Sequence, residues 1–245
     1  MMKYHIAIPT YNRVDSLINT TLKMLDNYDI SFNLIDIFVE NQYQYDLYSD
    51  HIDNIKIIIT NTTGIGQKHN FIRKYYKNLK MNFISIDDDV SEIKNMSGQL
   101  HNLKLFIGLA FEALNMNDMT LFGCSTYNNA FYKADKLTKH LKKINGVFFG
   151  VLYKENKPLI QTDFNMHSDL DFCIQYFLED KGVLVFNNIS VVTEYLGPGG
   201  IQSHQSLEER KQKEKEELEL LNEMYPELLK ILPNNKFKLN WKYKI

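Results

Sequence analysis

The sequence contains little cysteine, and this argues against one class of fold. Its 245 residues include two cysteines, Cys124 and Cys173, which lie far apart and lack CxxC spacing. Small secreted domains depend on paired cysteines, whereas cytosolic proteins keep theirs reduced. We therefore expect no disulfide framework and a reducing compartment.

Long apolar runs and a strong charge imbalance are also missing. No window approaches the 18 apolar residues of a membrane-spanning helix. The first residues show no signal-peptide pattern, because Pro9, Thr10, Asn12 and Arg13 interrupt the apolar run. The formal net charge of −2 does not mark a nucleic-acid binder, although it leaves local basic patches open. We expect a cytoplasmic protein without a membrane span.

What the sequence does contain is the composition of a globular protein. Hydrophobic residues make up 44% and aromatic residues 13%, which is enough for a substantial core. The length fits one large domain, or one domain with an appendage. We expect a main domain over residues 1–205 and a charged helix with a basic and aromatic tail over residues 206–245. Abundant Lys, Asn and Ile hint at an AT-rich genome, such as that of a phage or a low-GC bacterium.

Short apolar runs alternate with helical patterns along the chain. This alternation is typical of an α/β fold with a mostly parallel central sheet and helices on both faces. The predicted strands are residues 4–8, 34–39, 55–60, 81–86, 120–125, 146–153, 183–186 and 190–192. The predicted helices are residues 15–27, a helix that follows Gly66, and residues 103–114, 173–178 and 207–221.

The first four predicted strands all end in polar residues. Residues 9–13, Glu40, residues 64–66 and residues 87–89 follow these strand ends. Ligands of open α/β sheets bind at the carboxyl ends of the strands, so we expect these segments to meet at one edge. The glycines Gly64 and Gly66 before a helix could let a phosphate approach the backbone, although an ordinary turn has the same pattern.

Three adjacent carboxylates, Asp87, Asp88 and Asp89, end the fourth strand. They repel one another, and a divalent cation with oxygen ligands would compensate that repulsion. Asp87 and Asp89 point to the same side of an extended chain, so they could share one metal. The alternative is a solvated acidic turn.

The second half of the chain adds further candidates. Asp169 and Asp171 precede a predicted helix, where they could cap the helix or supply a general base. His204 follows a glycine-rich loop and could be exposed, or could be a metal ligand or phosphate contact.

Lysines are concentrated in two parts of the second half. Those of residues 130–143 could form a solvated helix face or meet a polyanionic acceptor; they are Lys133, Lys136, Lys139, Lys142 and Lys143. The lysine and aromatic residues of the tail could contact nucleic acid or pack against the domain.

Together these segments resemble a GT-A glycosyltransferase of the family-two type over roughly residues 3–205. The run Ile6-Ala7-Ile8-Pro9-Thr10-Tyr11-Asn12-Arg13 is similar to the opening strand and the nucleotide-holding turn of that family. Glu40 stands where the family has an acid that contacts the base or ribose. The run Gly64-Ile65-Gly66-Gln67-Lys68-His69-Asn70 resembles the next segment, with its basic residue and asparagine.

The acidic segments also match the family's pattern. Asp87-Asp88-Asp89 is similar to the DxD motif, which implies that these acids bind a sugar nucleotide and Mn²⁺ or Mg²⁺. Asp169 matches the catalytic base of inverting members, with Ser168 where glutamate is usual, and His204 matches a C-terminal metal histidine. The resemblance implies a metal-dependent transferase that uses a nucleotide-sugar, UDP-sugar foremost.

The compact length, the PTYNR turn, the GIGQK segment and the three aspartates are similar to the TET/JBP-associated glycosyltransferases of phages. That resemblance implies transfer to a 5-hydroxymethyl pyrimidine in double-stranded DNA. Lys139, Lys142, Lys143 and Asp171 would then bind the acceptor.

Three alternatives remain open at this point. A transferase acting on a cell-surface glycan or lipid-linked sugar would often carry a membrane anchor or amphipathic helix. A nucleotidyltransferase would carry a glycine-rich basic loop after the first strand, where residues 9–13 have no glycine. A non-catalytic nucleotide- or DNA-binding module would bind without turnover and would not need the acids.

Overall fold

A computed structural model describes residues 2–126, 137–193, 207–243 and 245 of the chain. The helices in these ranges are α1 (Val14–Ser16), α2 (Lys23–Asn27), α3 (Gln42–Ser49), α4 (Ile65–Asn78), α5 (Leu103–Met116), α6 (Ser168–Asp180) and α7 (Leu207–Met224). A π-helical stretch, Leu17–Leu22, joins α1 to α2, and a short 3-10 turn, Phe32–Leu34, precedes the second strand. No helix of the described ranges is long and apolar enough to cross a membrane.

Strands of the described residues form one large sheet and two small ones. The strands are β1 (Tyr4–Pro9), β2 (Ile35–Val39), β3 (Lys56–Ile59), β4 (Asn82–Ile86), β5 (Val90–Asn95), β6 (Gly98–Gln99), β7 (Leu121–Cys124), β8 (Leu137–Thr138), β9 (Phe148–Val151), β10 (Leu184–Phe186), β11 (Ser190–Thr193), β12 (Leu229–Leu232) and β13 (Lys236–Leu239). The large sheet has the order β3-β2-β1-β4-β9-β7-β10-β8, and the small sheets are β11-β5-β6 and β12-β13.

The large sheet is mostly parallel, as predicted. Strands β3, β2, β1 and β4 pair in parallel, and β7 pairs in parallel with β10. Strand β9 runs antiparallel between β4 and β7, and β8 is an antiparallel edge. Because β1 to β4 are parallel neighbours, the segments that follow them emerge at one edge.

Alternating side chains of the central strands feed two apolar cores, one on each face of the sheet. Ile6 and Ile84 belong to the core that includes helix α5, whereas Ala7 and Phe83 belong to the core that includes helices α4 and α6. This is the period-two alternation of a sheet covered on both faces. The predicted α/β architecture with helices on both faces is confirmed.

The C-terminal segment packs against the second of these cores. Leu218 and Leu221 of α7 and Leu229 of β12 are buried there beside α6. The tail predicted either to bind nucleic acid or to pack on the domain is a β-hairpin whose apolar side chains do pack on it.

Some elements differ from the sequence-based predictions. Helix α3, the β5–β6 hairpin after the three aspartates and the β12–β13 hairpin have only weak local patterns. The interpretation of the lysine-rich segment as a helix is wrong for residues 137–143, where Leu137–Thr138 form strand β8. Lys133, Lys136 and His204 lie outside the described residues.

Candidate active site

A hydrogen-bonded network ties the turn after β1 to the three aspartates after β4. The Thr10 hydroxyl donates to Asp88 Oδ2 at 2.5 Å and accepts from the Tyr48 hydroxyl at 2.5 Å. Arg13 Nη1 donates to Asp88 Oδ1 at 3.1 Å and to Asp89 Oδ2 at 2.9 Å. The backbone N–H of Arg13 donates to Tyr48 Oη at 2.9 Å. The PTYNR turn is thereby fixed against the acids, and its contact with a nucleotide stays a prediction.

Gln44 of α3 fixes the conformation of that turn, a role that the sequence analysis missed. Asn12 has φ of 53°, a left-handed conformation that asparagine tolerates better than most residues. Gln44 Nε2 donates to Asn12 Oδ1 at 2.6 Å, and the Asn12 N–H donates to Gln44 Oε1 at 2.9 Å. Gln44 is 1% exposed, so this pair is rigid. Gln44 lies on a short polar helix, so no local pattern in the sequence distinguishes it.

A buried lysine lies at the centre of the acidic edge. Lys68 of α4 is 4% exposed, and its Nζ donates to the Thr10 carbonyl at 2.7 Å. Burial lowers the pKa of Lys68 to about 8, and the nearby carboxylates of Glu40, Asp88 and Asp87 oppose that shift. The ammonium group of Lys68 therefore offsets part of the negative charge of these acids.

Asp87 is the least compensated of the three acids. Burial, followed by repulsion from Asp89 and Asp88, raises the pKa of Asp87 well above its usual value. Arg13 counteracts this only in part, and the carboxylate of Asp169 adds to the rise. Burial also raises the pKa of Asp88 and of Asp89. This excess of negative charge at one point fits the binding of a cation.

The metal prediction depends on Asp87, Asp89 and His204. Within the described ranges, no group of three or more His, Cys, Asp or Glu residues could hold a metal ion. The two aspartates are hard oxygen donors, and Mg²⁺ is often held by one or two carboxylates together with substrate phosphates. The donor chemistry of Asp87 and Asp89 therefore fits a divalent cation that a diphosphate would help to coordinate. The contribution of His204, outside the described residues, stays a prediction.

The glycines Gly64 and Gly66 at the start of α4 lie against other parts of the protein. A Cβ on Gly64, which has φ of 87°, would lie 2.5 Å from Asn165 Oδ1, and one on Gly66 would lie 1.9 Å from the Phe164 carbonyl oxygen. The Gly66 N–H donates to Asn165 Oδ1 at 3.0 Å. Glycine is thus required here because another group lies very close to the backbone. That group is the protein segment before α6. Their contact with a nucleotide-sugar stays a prediction.

Two further predicted donor-binding residues make protein contacts. Both polar groups of the Asn70 side chain bond the Thr162 backbone, at 2.7 Å to its carbonyl oxygen and 2.9 Å from its N–H. Glu40, at the end of β2, accepts from the Thr63 hydroxyl at 3.3 Å and is half-buried. Glu40 keeps carboxylate capacity for a ligand, whereas Asn70 mainly holds the segment that leads to α6.

Asp169, the predicted base, lies in the first turn of α6. Its Oδ2 is 2.8 Å from the Lys143 Nζ, while its Oδ1 is buried and has no hydrogen-bond partner among the described residues. A Cβ on Gly146 would lie 2.9 Å from Asp169 Cβ, so this glycine leaves the carboxylate its space. The negative charge of Asp169 adds to the rise in the pKa of Asp87, after the larger effects of burial, Asp89 and Asp88.

Asp171, two residues later, is held inside the protein. It is 1% exposed, and its oxygens accept from Tyr225 Oη at 3.0 Å and Gln175 Nε2 at 2.9 Å. Burial raises its pKa, and these hydrogen bonds oppose the shift. Contact of Asp171 with an acceptor would require these bonds to break, so the geometry favours a structural role.

The three lysines predicted to bind the acceptor have different surroundings. Lys139 is exposed, Lys142 donates to Asn187 Oδ1, and Lys143 pairs with Asp169 while its Nζ lies 5.7 Å from the centroid of the Phe237 ring. Lys143 is therefore next to the predicted base and not on a separate surface. Acceptor binding by all three lysines stays a prediction.

Helix α7 holds the loop before α6 through one carboxylate. The backbone N–H groups of Asn165, Met166 and His167 donate to the Glu217 side chain at 3.0, 2.8 and 2.9 Å. His167 Nε2 lies 3.0 Å from the Glu214 carbonyl oxygen. Glu217 is one of many acids on a charged helix, so no local sequence signal distinguished it.

The model of a family described as TET-Associated Glycosyltransferase matches residues 4–196. The comparison with curated proteins gave no match. Among solved structures, the chain is similar to a mannose-1-phosphate geranyltransferase from Thermus thermophilus, with 10% identity and a TM-score of 0.38. That match covers 77% of this chain, which spans 56% of the other protein's length.

Proposed function

The chain belongs to the TET-associated glycosyltransferases, and on this premise we propose that it transfers a sugar from a nucleotide-sugar to a hydroxyl on a modified base of DNA. The observation that carries the proposal is the position of Asp169. Its unpartnered Oδ1 lies next to an edge where Arg13, Lys68 and the three aspartates gather. This arrangement supports a donor site at the acidic edge, with Asp169 as the general base for the acceptor hydroxyl.

The donor side of the proposal uses the residues at the strand ends. Lys68 and Arg13 supply the positive charge that a diphosphate needs, and Glu40 supplies an acceptor for a ribose or base. A UDP-sugar is the donor that we expect. When bound, a divalent cation held by Asp87 and Asp89 would neutralise the charge that develops on the departing diphosphate.

The chemical step uses Asp169 Oδ1 as the general base. Asp169 Oδ1 accepts the proton of the acceptor hydroxyl, and the hydroxyl oxygen forms a bond to the anomeric carbon of the donor sugar. The bond from that carbon to the diphosphate oxygen breaks, and the nucleoside diphosphate leaves on the opposite face. A single displacement inverts the configuration at the anomeric carbon. General-base assistance of this kind typically contributes about 10²–10⁴ in rate.

The acceptor that we propose is a 5-hydroxymethyl pyrimidine in double-stranded phage DNA. Such a base must leave the duplex stack before its hydroxyl can reach a carboxylate in a cleft. The reaction would take place in the host cytoplasm, where the buried free thiols of Cys124 and Cys173 remain reduced.

The test is a screen of nucleotide-sugars against four acceptors. These are hydroxymethylated duplex DNA, the same duplex without the modification, the free hydroxymethyl nucleoside and a glycan mixture. We expect transfer to hydroxymethylated DNA and its loss in Asp169→Asn. Transfer to glycans alone would replace the DNA acceptor with the alternative class. Nucleotide-sugar binding without turnover on any acceptor would favour a binding module.

A further inference from the structure

The C-terminal β12–β13 hairpin presents lysines on its outward face. In the register of the hairpin, Lys230 lies directly opposite Lys238. Lys236 is two residues before Lys238 in β13, so both point to the same face. All three lysines are exposed. Ile231 and Phe237 alternate with them and pack toward the second core. The hairpin therefore has an apolar inner face and a basic outer face.

This arrangement of charge is unfavourable for the hairpin alone. Like charges directly opposite each other in an antiparallel pair destabilise it. After Glu227 the chain contains five lysines and no acidic residue, so neither strand of the hairpin carries an acid that could offset the repulsion. A polyanion on the outer face would offset it.

The hairpin also lies near Asp169, the proposed catalytic base. The Phe237 ring centroid is 5.7 Å from Lys143 Nζ, and that ammonium is 2.8 Å from Asp169 Oδ2. The same ring is 6.3 Å from the ring of His167, the residue that precedes α6. Lys236 and Lys238 flank Phe237 in sequence, so their backbone lies one residue from a side chain near Lys143, while their own side chains are exposed on the opposite face of the hairpin.

We propose that Lys230, Lys236 and Lys238 form a docking surface for the phosphate backbone of the acceptor DNA. This inference rests on the proposed function, because it names the surface that would deliver a base to Asp169. The hairpin lies beyond residue 196, where the family match ends. The chemistry favours a duplex over an acidic protein, since evenly spaced phosphates match lysines spaced along one face of a strand.

The experiment compares two variants with the same change of charge. One carries Lys230→Gln, Lys236→Gln and Lys238→Gln, and the control carries Lys211→Gln, Lys213→Gln and Lys215→Gln on the exposed face of α7. Direct binding to duplex DNA is measured by fluorescence anisotropy at several salt concentrations. We expect the hairpin variant to bind at least tenfold more weakly at low salt. Its slope of log K against log salt should fall by about 0.9 for each lost phosphate contact.

Two further readouts separate this inference from the proposed function. Thermal unfolding should show the hairpin variant as stable as the wild type, or more stable, because the opposed lysines are gone. The ratio of transfer to DNA over transfer to the free hydroxymethyl nucleoside should fall in the hairpin variant and stay constant in the α7 control.

Equal DNA binding by wild type and hairpin variant, or an equal loss in both variants, would overturn the docking surface even if the enzyme glycosylates DNA. A wild type that binds DNA through the hairpin but transfers no sugar to any hydroxymethyl acceptor would overturn the proposed function instead.

Discussion

Replacing Glu217 with alanine should loosen the loop that carries the chain into α6. The carboxylate accepts three consecutive backbone N–H groups at 2.8–3.0 Å. Each hydrogen bond to a charged acceptor is worth about 1.5–3 kcal/mol. Glu217 is half exposed, so water replaces part of this loss. We therefore expect Glu217→Ala to lower the free energy of unfolding by about 2–4 kcal/mol.

That loss should appear as a fall in Tm of about 5–15 °C, because 1 kcal/mol shifts a domain of this size by about 2–4 °C. Glu217→Gln keeps one carbonyl oxygen but turns an NH₂ group toward a backbone donor, so it should lose about half as much. Glu223→Ala, on the exposed part of the same helix, is the matched control and should change stability by less than about 0.5 kcal/mol.

Activity gives the second part of this assay. Asn165 to His167 immediately precede α6, whose first turn carries Asp169. A looser loop should therefore lower kcat while donor KM changes little, since the strand-end contacts remain. Urea unfolding and steady-state kinetics of the three variants measure both effects. If Glu217→Ala unfolds at the same urea concentration as Glu223→Ala, the three hydrogen bonds do not hold the loop as argued.

Four other predictions address the proposed site. Asp169→Asn should lower kcat by about 10²–10⁴ with donor affinity retained, and NMR of the wild-type product should show inversion; a retained configuration would place the base elsewhere. Asp89→Asn should abolish donor turnover while the protein stays folded, and the activity of the wild type should depend on Mn²⁺ or Mg²⁺. Full activity in excess chelator would contradict the proposed metal requirement. The pKa of Lys68, about 8, should rise when a diphosphate binds, so donor affinity measured by calorimetry should fall as pH rises from 7 to 9. Lys68→Met should bind the donor weakly, and its affinity should not change with pH. A wild-type affinity that is equally independent of pH would contradict this role of Lys68. Asp171→Asn should lower stability by about 1–3 kcal/mol in urea unfolding, because Asp171 is buried with two protein donors; unchanged stability with a raised acceptor KM would restore its acceptor role.

Much of the sheet could be predicted from local patterns. Runs such as Tyr4–Pro9 and Asn82–Ile86 are apolar, short and followed by polar residues, and strands β1 to β4 carry their candidate residues at one edge as expected. Helix α3 and the two additional hairpins were missed, because their sequences are polar or mixed and their stability comes from packing on the domain.

Within the site, the sequence identified residue types better than their partners. It pointed to Asp169 and Lys143 separately, but their 2.8 Å contact joins residues 26 positions apart that no periodicity links. The sequence predicted that a ligand approaches the backbone at Gly64 and Gly66, whereas Phe164 and Asn165 occupy the space next to these glycines. Asp171 carried the same pattern as Asp169, and its burial beneath Tyr225 distinguishes its surroundings from those of Asp169.

The α/β class, the acidic strand end and the order of the motifs could be predicted from the sequence, because they follow from short apolar and polar runs along the chain. Which polar groups meet could be seen only in the folded protein. Contacts such as Thr10 with Asp88, Gln44 with Asn12 and Glu217 with the α6 loop join distant parts of the chain. Their energies depend on distance and burial, and neither quantity is encoded in any short stretch of sequence.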